Sequence, residues 1–348
     1  MKKLIDLLYA NNNLSSSELL DLLNGLTSEE YIQHLHLKAS LTAKKHYSNK
    51  VYMRGLVEFT NYCKNNCIYC GIRHSNKNCD RYRLTKDDIL SCCKEGYRLG
   101  YRTFVLQGGE DPYYADEKIL SIIRLIKSNF PDCALTLSIG EKSYETYKQF
   151  YNAGVDRYLL RHETYSKPLY ERLHPNMSFE NRIRCLKDLK KIGFQVGAGF
   201  MVGLPSQTNE DFVKDLIFLK ELQPHMVGIG PFIPQKDTPL ANEGKGTLEK
   251  TCILLSLIRL LLPKVLLPAT TALGSINPKG RELGLKSGAN VVMPNLSPTA
   301  VRDKYALYDG KICTGDEAAH CRQCIERRIE SAGFKVDMSR GDHYDRRN

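Results

Sequence analysis

The sequence contains no apolar stretch long and clean enough to cross a membrane. Its longest, CILLSLIRLLLPKVLLPA, is interrupted by Arg259, Pro263 and Lys264, whereas a spanning helix needs about 20 predominantly apolar residues. No small-residue cleavage site follows the N-terminal MKKLIDLLYANNN, whose short apolar stretch is broken by Asp6; this segment reads as an ordinary first helix. These absences predict a soluble, cytoplasmic protein with no membrane partner. A basic tail and an RNA-binding signature are also missing. The formal net charge of +11 is spread over polar helix faces such as CLKDLKKIG, which predicts a solvated lysine-rich surface and no nucleic-acid partner. A docking face for an acidic protein stays open.

Without an export signal, the twelve cysteines argue against a disulfide framework and for metal ligation or buried thiols. Cys79, Cys92, Cys93, Cys133, Cys185 and Cys252 are scattered through helical or loop contexts and read as small core hydrophobes. The other six fall into two tight clusters.

From residue 51 onward the chain repeats one unit, an apolar run of strand length followed by an amphipathic helical pattern. The runs are VYMRGLVEFT, YRTFVLQGG, ALTLSIG, RYLLRHET, QVGAGFMVG, HMVGIGPFIP, VLLPATTALG and NVVMPNLSP. Eight such units imply an α/β protein of the closed (β/α)8, TIM-barrel type. A doubly wound open sheet fits less well, because a cysteine loop replaces the Gly-x-Gly-x-x-Gly expected after its first strand. Asn209 and Ser178 are the predicted helix N-caps, and Gly100, Gly154 and Gly193 the predicted stops. Residues 1–50 form a helical extension capping the barrel's bottom or side. The barrel spans 51–310, and 311–348 hold a cysteine-bearing loop, a last helix and a polar tail expected to be disordered.

The loop TNYCKNNCIYCGIR follows the first strand and places Cys63, Cys67 and Cys70 as C-x3-C-x2-C. Barrel enzymes put their chemistry in such loops. Zinc needs four ligands and lacks a nearby second C-x2-C pair, although His74 is available. A cubane 4Fe-4S cluster can instead take three thiolates and leave its fourth iron to a non-protein ligand.

The cysteine loop, with Tyr69 before its last cysteine, resembles that of the radical S-adenosylmethionine (SAM) enzymes. The resemblance implies that SAM chelates the open iron and is reductively cleaved to a 5′-deoxyadenosyl radical, which requires a reducing electron donor. It also implies SAM contacts from Gln107, Gly108, Gly109 and Glu110 in LQGGED, from Ser138, and from Glu163 at the end of strand four toward the ribose. Arg182 would pair with a carboxylate, and Met201 and Ile229 would line the adenine pocket.

A longer chain of matches resembles one subgroup, the FeFe-hydrogenase maturase HydE family. It runs from EFTNYCKNNCIYCGIR through SFENR, MVGLPSQT, MVGIGPFIP and DTPLANE to GANVVMPNLSP. This resemblance implies assembly of the hydrogenase diiron subcluster from a small cysteine-bound Fe(CO)2CN-type complex, with other maturation proteins as partners. Arg161, Thr136, Met226, Thr270, Thr271 and Met293 would line the substrate cavity. Arg161 and Glu163 should share the inward face of their strand, with His162 pointing away. Cys313, Cys321 and Cys324 match an auxiliary 2Fe-2S or 4Fe-4S cluster, the alternatives being a zinc site or spare thiols. Gln235 and Lys236 stand where a His-Pro pair is expected, and Tyr165 and Ser166 where smaller residues are usual. The rival readings are a methylornithine-synthase-type mutase, a biotin-synthase-like sulfur inserter and a non-catalytic iron-sulfur carrier.

Overall fold

The computed structural model describes residues 1–315 and 317–346. Its first barrel strand runs through Lys50–Met53 and Gly55–Thr60. Thr103–Gly108, Ala134–Ser138, Arg157–Leu159, Gln195–Ala198 and Met226–Val227 follow, each pairing in parallel with the one before. Single bridges complete the ring: Met226 pairs with Leu266 and Pro268 with Val291, and Val291–Val292 returns to Tyr52 and Met53. The eight expected segments therefore close in chain order, as a (β/α)8 barrel requires.

The hydrogen-bonded strands are shorter than the apolar runs because the runs continue past the sheet into the loops at its C-terminal end. Met201–Val202 and Gly230–Pro231 form a separate parallel pair there, and the run VLLPATTALG turns into the helix Thr271–Ile276. Strand neighbours that leave the ladder in this way are what place side chains over the barrel's open end.

Local chemistry sets the helix ends. Ser178 caps Phe179–Ile192 by accepting from the Asn181 N–H, and Gly193 closes it in the left-handed region. Asn209 is not a cap. Thr208 takes that role, because its side chain and that of Asp211 exchange bonds with each other's backbone N–H. A reciprocal capping box satisfies two end donors where a lone asparagine would satisfy one. Gly100 and Gly154 lie one residue past the C-caps Leu99 and Ala153 of their helices, at positive φ.

The N-terminal helices cover the barrel's flank, not its bottom. Asn12 Nδ2 donates to Leu260 O at 2.9 Å, and Lys220 Nζ donates to Asn12 O at 2.6 Å. Cys92, Cys93, Cys133, Cys185 and Cys252 are buried, and Cys79 is half-buried. Among the described residues, no helix is long and apolar enough to cross a membrane.

The bottom is filled by the C-terminal tail, which corrects the expectation of disorder through residue 346; residues 347 and 348 lie outside the described residues. Lys335–Asp337 pairs with Lys50, Val51 and Tyr52. The chain then crosses the N-terminal ends of the strands. Thr103 Oγ1 and Arg157 Nη2 both donate to Arg340 O at 2.7 Å, and Arg54 Nη2 donates to Gly341 O at 3.1 Å. Asp342 Oδ1 accepts from Arg157 at 2.6 Å and from Gln195 at 2.7 Å. Two arginines buried inside the barrel thus find their acceptors on the tail, and that satisfaction orders it.

Burial by itself would raise the Asp342 carboxyl; Arg157 and the bonds from Arg340 and Gln195 outweigh it and hold it at about 2. Because this lies below the unfolded value of about 3.9, the contribution, roughly 2 kcal/mol, is complete above about pH 5 and is lost as pH falls through 2. Acid titration of the apoprotein should show this loss in the wild type and not in Asp342→Asn, whose midpoint at neutral pH should already be lowered.

Candidate active site

Residues 61–83 leave the first strand as a loop with little secondary structure, so its carbonyls need other partners. Arg81 gathers several: it donates to Ile72 O at 2.8 Å, Arg73 O at 2.6 Å and Asn76 O at 3.0 Å, and also to Asn61 O. Asn61 Nδ2 ties the loop to Asp80 O at 2.8 Å and to Lys304 O at 2.7 Å. Within this frame Cys63, Cys67 and Cys70 are half-buried.

Burial raises all three thiols. Cys67 is pushed up to about 12, with the charge of Cys63 adding to burial, and Cys70 is raised by burial, with Cys67 and Cys63 adding to it. Three thiolates stand together here only on a strongly positive centre. Among the described residues no three His, Cys, Asp or Glu side chains converge on one ion position. His74, the fourth ligand of the zinc alternative, is exposed, with its backbone N–H on Asn65 O. A cubane takes one thiolate at each of three corners and needs no such convergence.

The LQGGED turn at the end of strand two lies directly against this loop. A Cβ on Gly109 would sit 2.2 Å from Tyr62 O and 2.7 Å from Cys63 Cβ, so only glycine permits the approach. Glu110 Oε1 accepts from the Glu141 N–H at 3.1 Å, and Lys64 Nζ lies 3.3 Å from Oε2. Gly140, at φ 80°, leaves the room Glu110 fills: a Cβ there would be 2.1 Å from Glu110 Cγ. Gln107 sits opposite Ser138 in the strand register and donates to Tyr305 OH at 3.4 Å.

Tyr69 and His174 form a buried pair with a defined tautomer. His174 Nδ1 is 2.8 Å from Tyr170 O, which can only accept, so Nδ1 carries the proton. Burial, with Arg182 adding, lowers His174 to about 3. Its neutral Nε2 therefore accepts from Tyr69 OH at 2.9 Å. Arg182 is buried beside them, with Nε on Glu141 Oε1 and Nη1 on Arg161 O, both at 2.6 Å.

Arg161 and Glu163 share a face, with Arg161 Nη2 and Glu163 Oε2 3.3 Å apart, while His162 points away and is fully buried. Glu163 has a φ of 66°, unusual for a residue with a side chain. Met201 is buried beside Tyr69 among Leu169, Leu173, Leu204 and Phe232, and Ile229 is fully buried in the main core. Gly228 is buried as well, yet a Cβ there would meet nothing within 4 Å, so the barrel has room at this level.

The six expected substrate residues do not line one cavity. Thr136 and Met226 share a pocket with Arg54, Arg157 and Leu266 in the lower barrel. Thr271 and Met293 line a second with Glu58, Arg281, Lys311, Cys313 and Cys321. Thr270 faces Gly230. Four buried atoms from this set, Thr136 Oγ1, Arg161 Nε and Nη2 and Thr270 Oγ1, have no hydrogen-bond partner, nor does Glu163 Oε2, which Arg161 Nη2 meets only as an ion pair. Buried polar groups are normally satisfied, so an interior with this many open positions suits a polar ligand.

Cys321 and Cys324 lie one turn apart on the helix Ala318–Ser331, the first buried and the second exposed. Cys313 precedes them at φ 64°. A hydrogen bond between Cys313 and Cys321, then burial, raises the Cys321 thiol, and both Nη atoms of Arg281 lie 3.7 Å from Cys313 Sγ. Asp316, between them, is outside the described residues.

Several partners were not found from the sequence. Glu141 follows strand three and was discoverable by the strand-end rule that exposed Glu163. His174, Arg54 and the Glu58–Lys311 pair, 2.7 Å apart, had no local signal. Of the residues departing from the subgroup pattern, Gln235 folds back on Asp237 and Tyr165 stacks on Phe218 at 4.2 Å. Ser166 is buried at the start of Lys167–Leu173, and exposed Lys236 donates its backbone N–H to Asp309.

Residues 57–219 match the model of the radical SAM superfamily. The [FeFe] hydrogenase maturase subunit HydE of Thermotoga maritima is 49% identical over 84% of this chain and 83% of its own length. The chain belongs to the HydE family of radical SAM enzymes. Membership implies a 4Fe-4S cluster and SAM, and the donor set, the glycine approach and the unpartnered interior atoms are compatible with both. More distant members of the superfamily share the fold. The 3-methylornithine synthase of Methanosarcina acetivorans is 29% identical over 92% of this chain and 90% of its own. A crystal structure of methylornithine synthase (PylB) superposes with a TM-score of 0.86 at 28% identity, covering 96% of this chain and 97% of that one.

Gly109→Ala should displace the cysteine loop without touching a cysteine. Iron and sulfide analysis after anaerobic reconstitution should show cluster affinity lowered about tenfold, the scale of losing an outer support of a metal site. Full cluster content would mean the close approach is unimportant.

Proposed function

We propose that this HydE-family chain performs the radical step in assembling the diiron subcluster of FeFe hydrogenase, acting on a cysteine-bound Fe(CO)2CN-type complex. The relative in Thermotoga maritima supports the maturation role. The observation that carries the substrate reading is the inward-facing Arg161–Glu163 ion pair, 3.3 Å apart, whose Arg161 Nε and Nη2 and Glu163 Oε2 are buried without a hydrogen bond, as is Thr270 Oγ1. A guanidinium, hydroxyls and the thioethers of Met226 and Met293 suit a small anionic metal complex.

When bound, the cluster supplies an electron and SAM the carbon radical that electron releases. The chain's residues organise this encounter. Cys63, Cys67 and Cys70 hold three irons and leave one for SAM. Gln107, Gly108, Gly109, Glu110 and Ser138 receive its methionine part, with Gly140 giving Glu110 its room. Tyr69 is oriented by neutral His174, so its ring stays fixed beside the last cysteine. Glu163 accepts from the ribose hydroxyls, and Met201 and Ile229 flank the adenine. Arg182, braced by Glu141 and Arg161 O, has Nη2 outside those bonds for a carboxylate. Arg161 and Thr270 then hold the substrate, while Thr136 lies in the lower pocket and Thr271 in the one beside Cys313. The plug at the barrel's bottom leaves the C-terminal end, where SAM would enter, as the working face. An auxiliary cluster on Cys313, Cys321 and Cys324 would sit beside the pocket containing Thr271 and Met293.

A methylornithine synthase has no evident use for that cysteine triplet, and the much higher identity to HydE favours the maturase. A biotin-synthase-like inserter would want a cysteine on the barrel strands, which carry none. An iron-sulfur carrier has no need of the unpartnered interior.

Anaerobically reconstituted protein with SAM and reductant should release 5′-deoxyadenosine and methionine, and Cys63→Ala should reduce both to background. Undiminished cleavage in that variant would remove the cluster assignment. In an in vitro hydrogenase maturation assay, omitting the protein or substituting Cys67→Ala should abolish activation. Hydrogenase activity restored without the protein would sink the maturation role while leaving the radical chemistry intact.

A further inference from the structure

His162 and Asp215 are completely buried on the side of strand four away from the barrel interior, and nothing in the reaction uses them. Their bonding is specific. His162 Nδ1 accepts from the Gly199 N–H at 3.3 Å, so the proton is on Nε2, which donates to Asp215 Oδ1 at 3.1 Å. The same oxygen accepts from the Tyr165 N–H at 2.6 Å. One carboxylate oxygen on the helix Asn209–Leu222 therefore holds residues 162 and 165 together.

Glu163 lies between those two points. The Thr164 N–H donates to His162 O at 2.8 Å, closing a γ-turn whose central residue is Glu163 at φ 66°. This turn is rare and strained, costing of order 1–3 kcal/mol, and persists only where its surroundings over-determine it. Here they do: the Glu163 N–H donates to Gly199 O at 3.0 Å and Glu163 O accepts from Met201 N–H at 3.1 Å. Gly199 is thus bonded both to Glu163 and to the His162 ring. The strained residue is the one whose Oε2, on the inward face, makes no hydrogen bond and has the Arg161 guanidinium beside it at 3.3 Å.

We propose that Asp215 and His162 are positioning residues that hold Glu163 in this turn, so that its carboxylate faces the SAM ribose. This rests on the reading of Glu163 given above. Burial lowers His162 to about 3, which keeps the ring neutral and the tautomer defined. Burial also raises Asp215, so Asp215→Asn imitates its protonated form and keeps Oδ1 as acceptor for both donors. Asp215→Ala removes both bonds. His162→Phe keeps a ring and removes the links to Asp215 and Gly199.

The test measures equilibrium affinity on the reconstituted full chain, using SAM and its 2′,3′-dideoxyribose analogue as probes. Asp215→Ala, His162→Phe and Glu163→Ala should each weaken SAM about tenfold, the scale of a lost hydrogen bond to a charged group. None should further weaken the analogue, which lacks the hydroxyls. Asp215→Asn should stay within about twofold of the wild type for SAM. If Asp215→Ala does not fold, His162→Phe decides. Equal weakening of SAM and analogue by the positioning variants would mean general loosening and would overturn the proposal. So would normal SAM affinity in them while Glu163→Ala is impaired. Normal SAM affinity in Glu163→Ala would instead show that the ribose role itself is wrong.

Discussion

Three thiols in one half-buried loop resist the charge that metal ligation requires of them. The thiols of Cys63, Cys67 and Cys70 are all raised, burial being the largest cause. A strongly positive centre reverses that preference, so cluster binding and the order of the loop are thermodynamically linked. The protein's own contribution is to hold the loop ready. Arg81 and Asn61 satisfy its carbonyls, Gly109 lets the neighbouring turn approach, and Tyr69 is fixed by neutral His174. Arg81 and Asn61 brace the loop from within, and Gly109 and His174 from other parts of the chain, so an irregular segment is held firmly.

The two ends of the barrel are finished differently. At the N-terminal end, Arg54 and Arg157 are buried and donate through Nη atoms to the tail, while the Nε of each has no hydrogen-bond partner. At the C-terminal end, buried atoms of Arg161, Glu163 and Thr270 make no hydrogen bond, with Arg161 Nη2 and Glu163 Oε2 facing each other as an ion pair 3.3 Å apart. Buried polar groups left open are costly and persist where a ligand supplies the missing bond. The interior is not one smooth chamber either. Thr136 and Met226 lie in a lower pocket, and Thr271 and Met293 in another beneath the C-terminal cysteines.

Strand four concentrates opposite roles on neighbouring residues. Arg161 and Glu163 face inward, while His162 between them is tied to Asp215 behind the sheet. Strand alternation explains the division of faces. It does not explain the γ-turn at Glu163, which depends on bonds from Gly199 and Met201 on the adjoining segment and on Asp215 from a distant helix.

The sequence by itself determined the eight alternating units, the cysteine loop after the first of them, the glycine-rich turn after the second, and the inward pairing of Arg161 with Glu163. These are local: period, spacing and strand alternation are written in contiguous residues, and the matching motifs in order were sufficient to indicate the family. Tertiary structure decided the rest. The polar tail became a plug because buried arginines needed acceptors, whereas the Thr208–Asp211 capping box that displaced Asn209 is itself local, three residues apart. Glu141, His174 and Asp215 became supports only when the fold brought them to Arg182, Tyr69 and His162. Such pairings join residues up to a few hundred positions apart, and their energy comes from satisfying buried polar groups in three dimensions, a requirement no local pattern encodes.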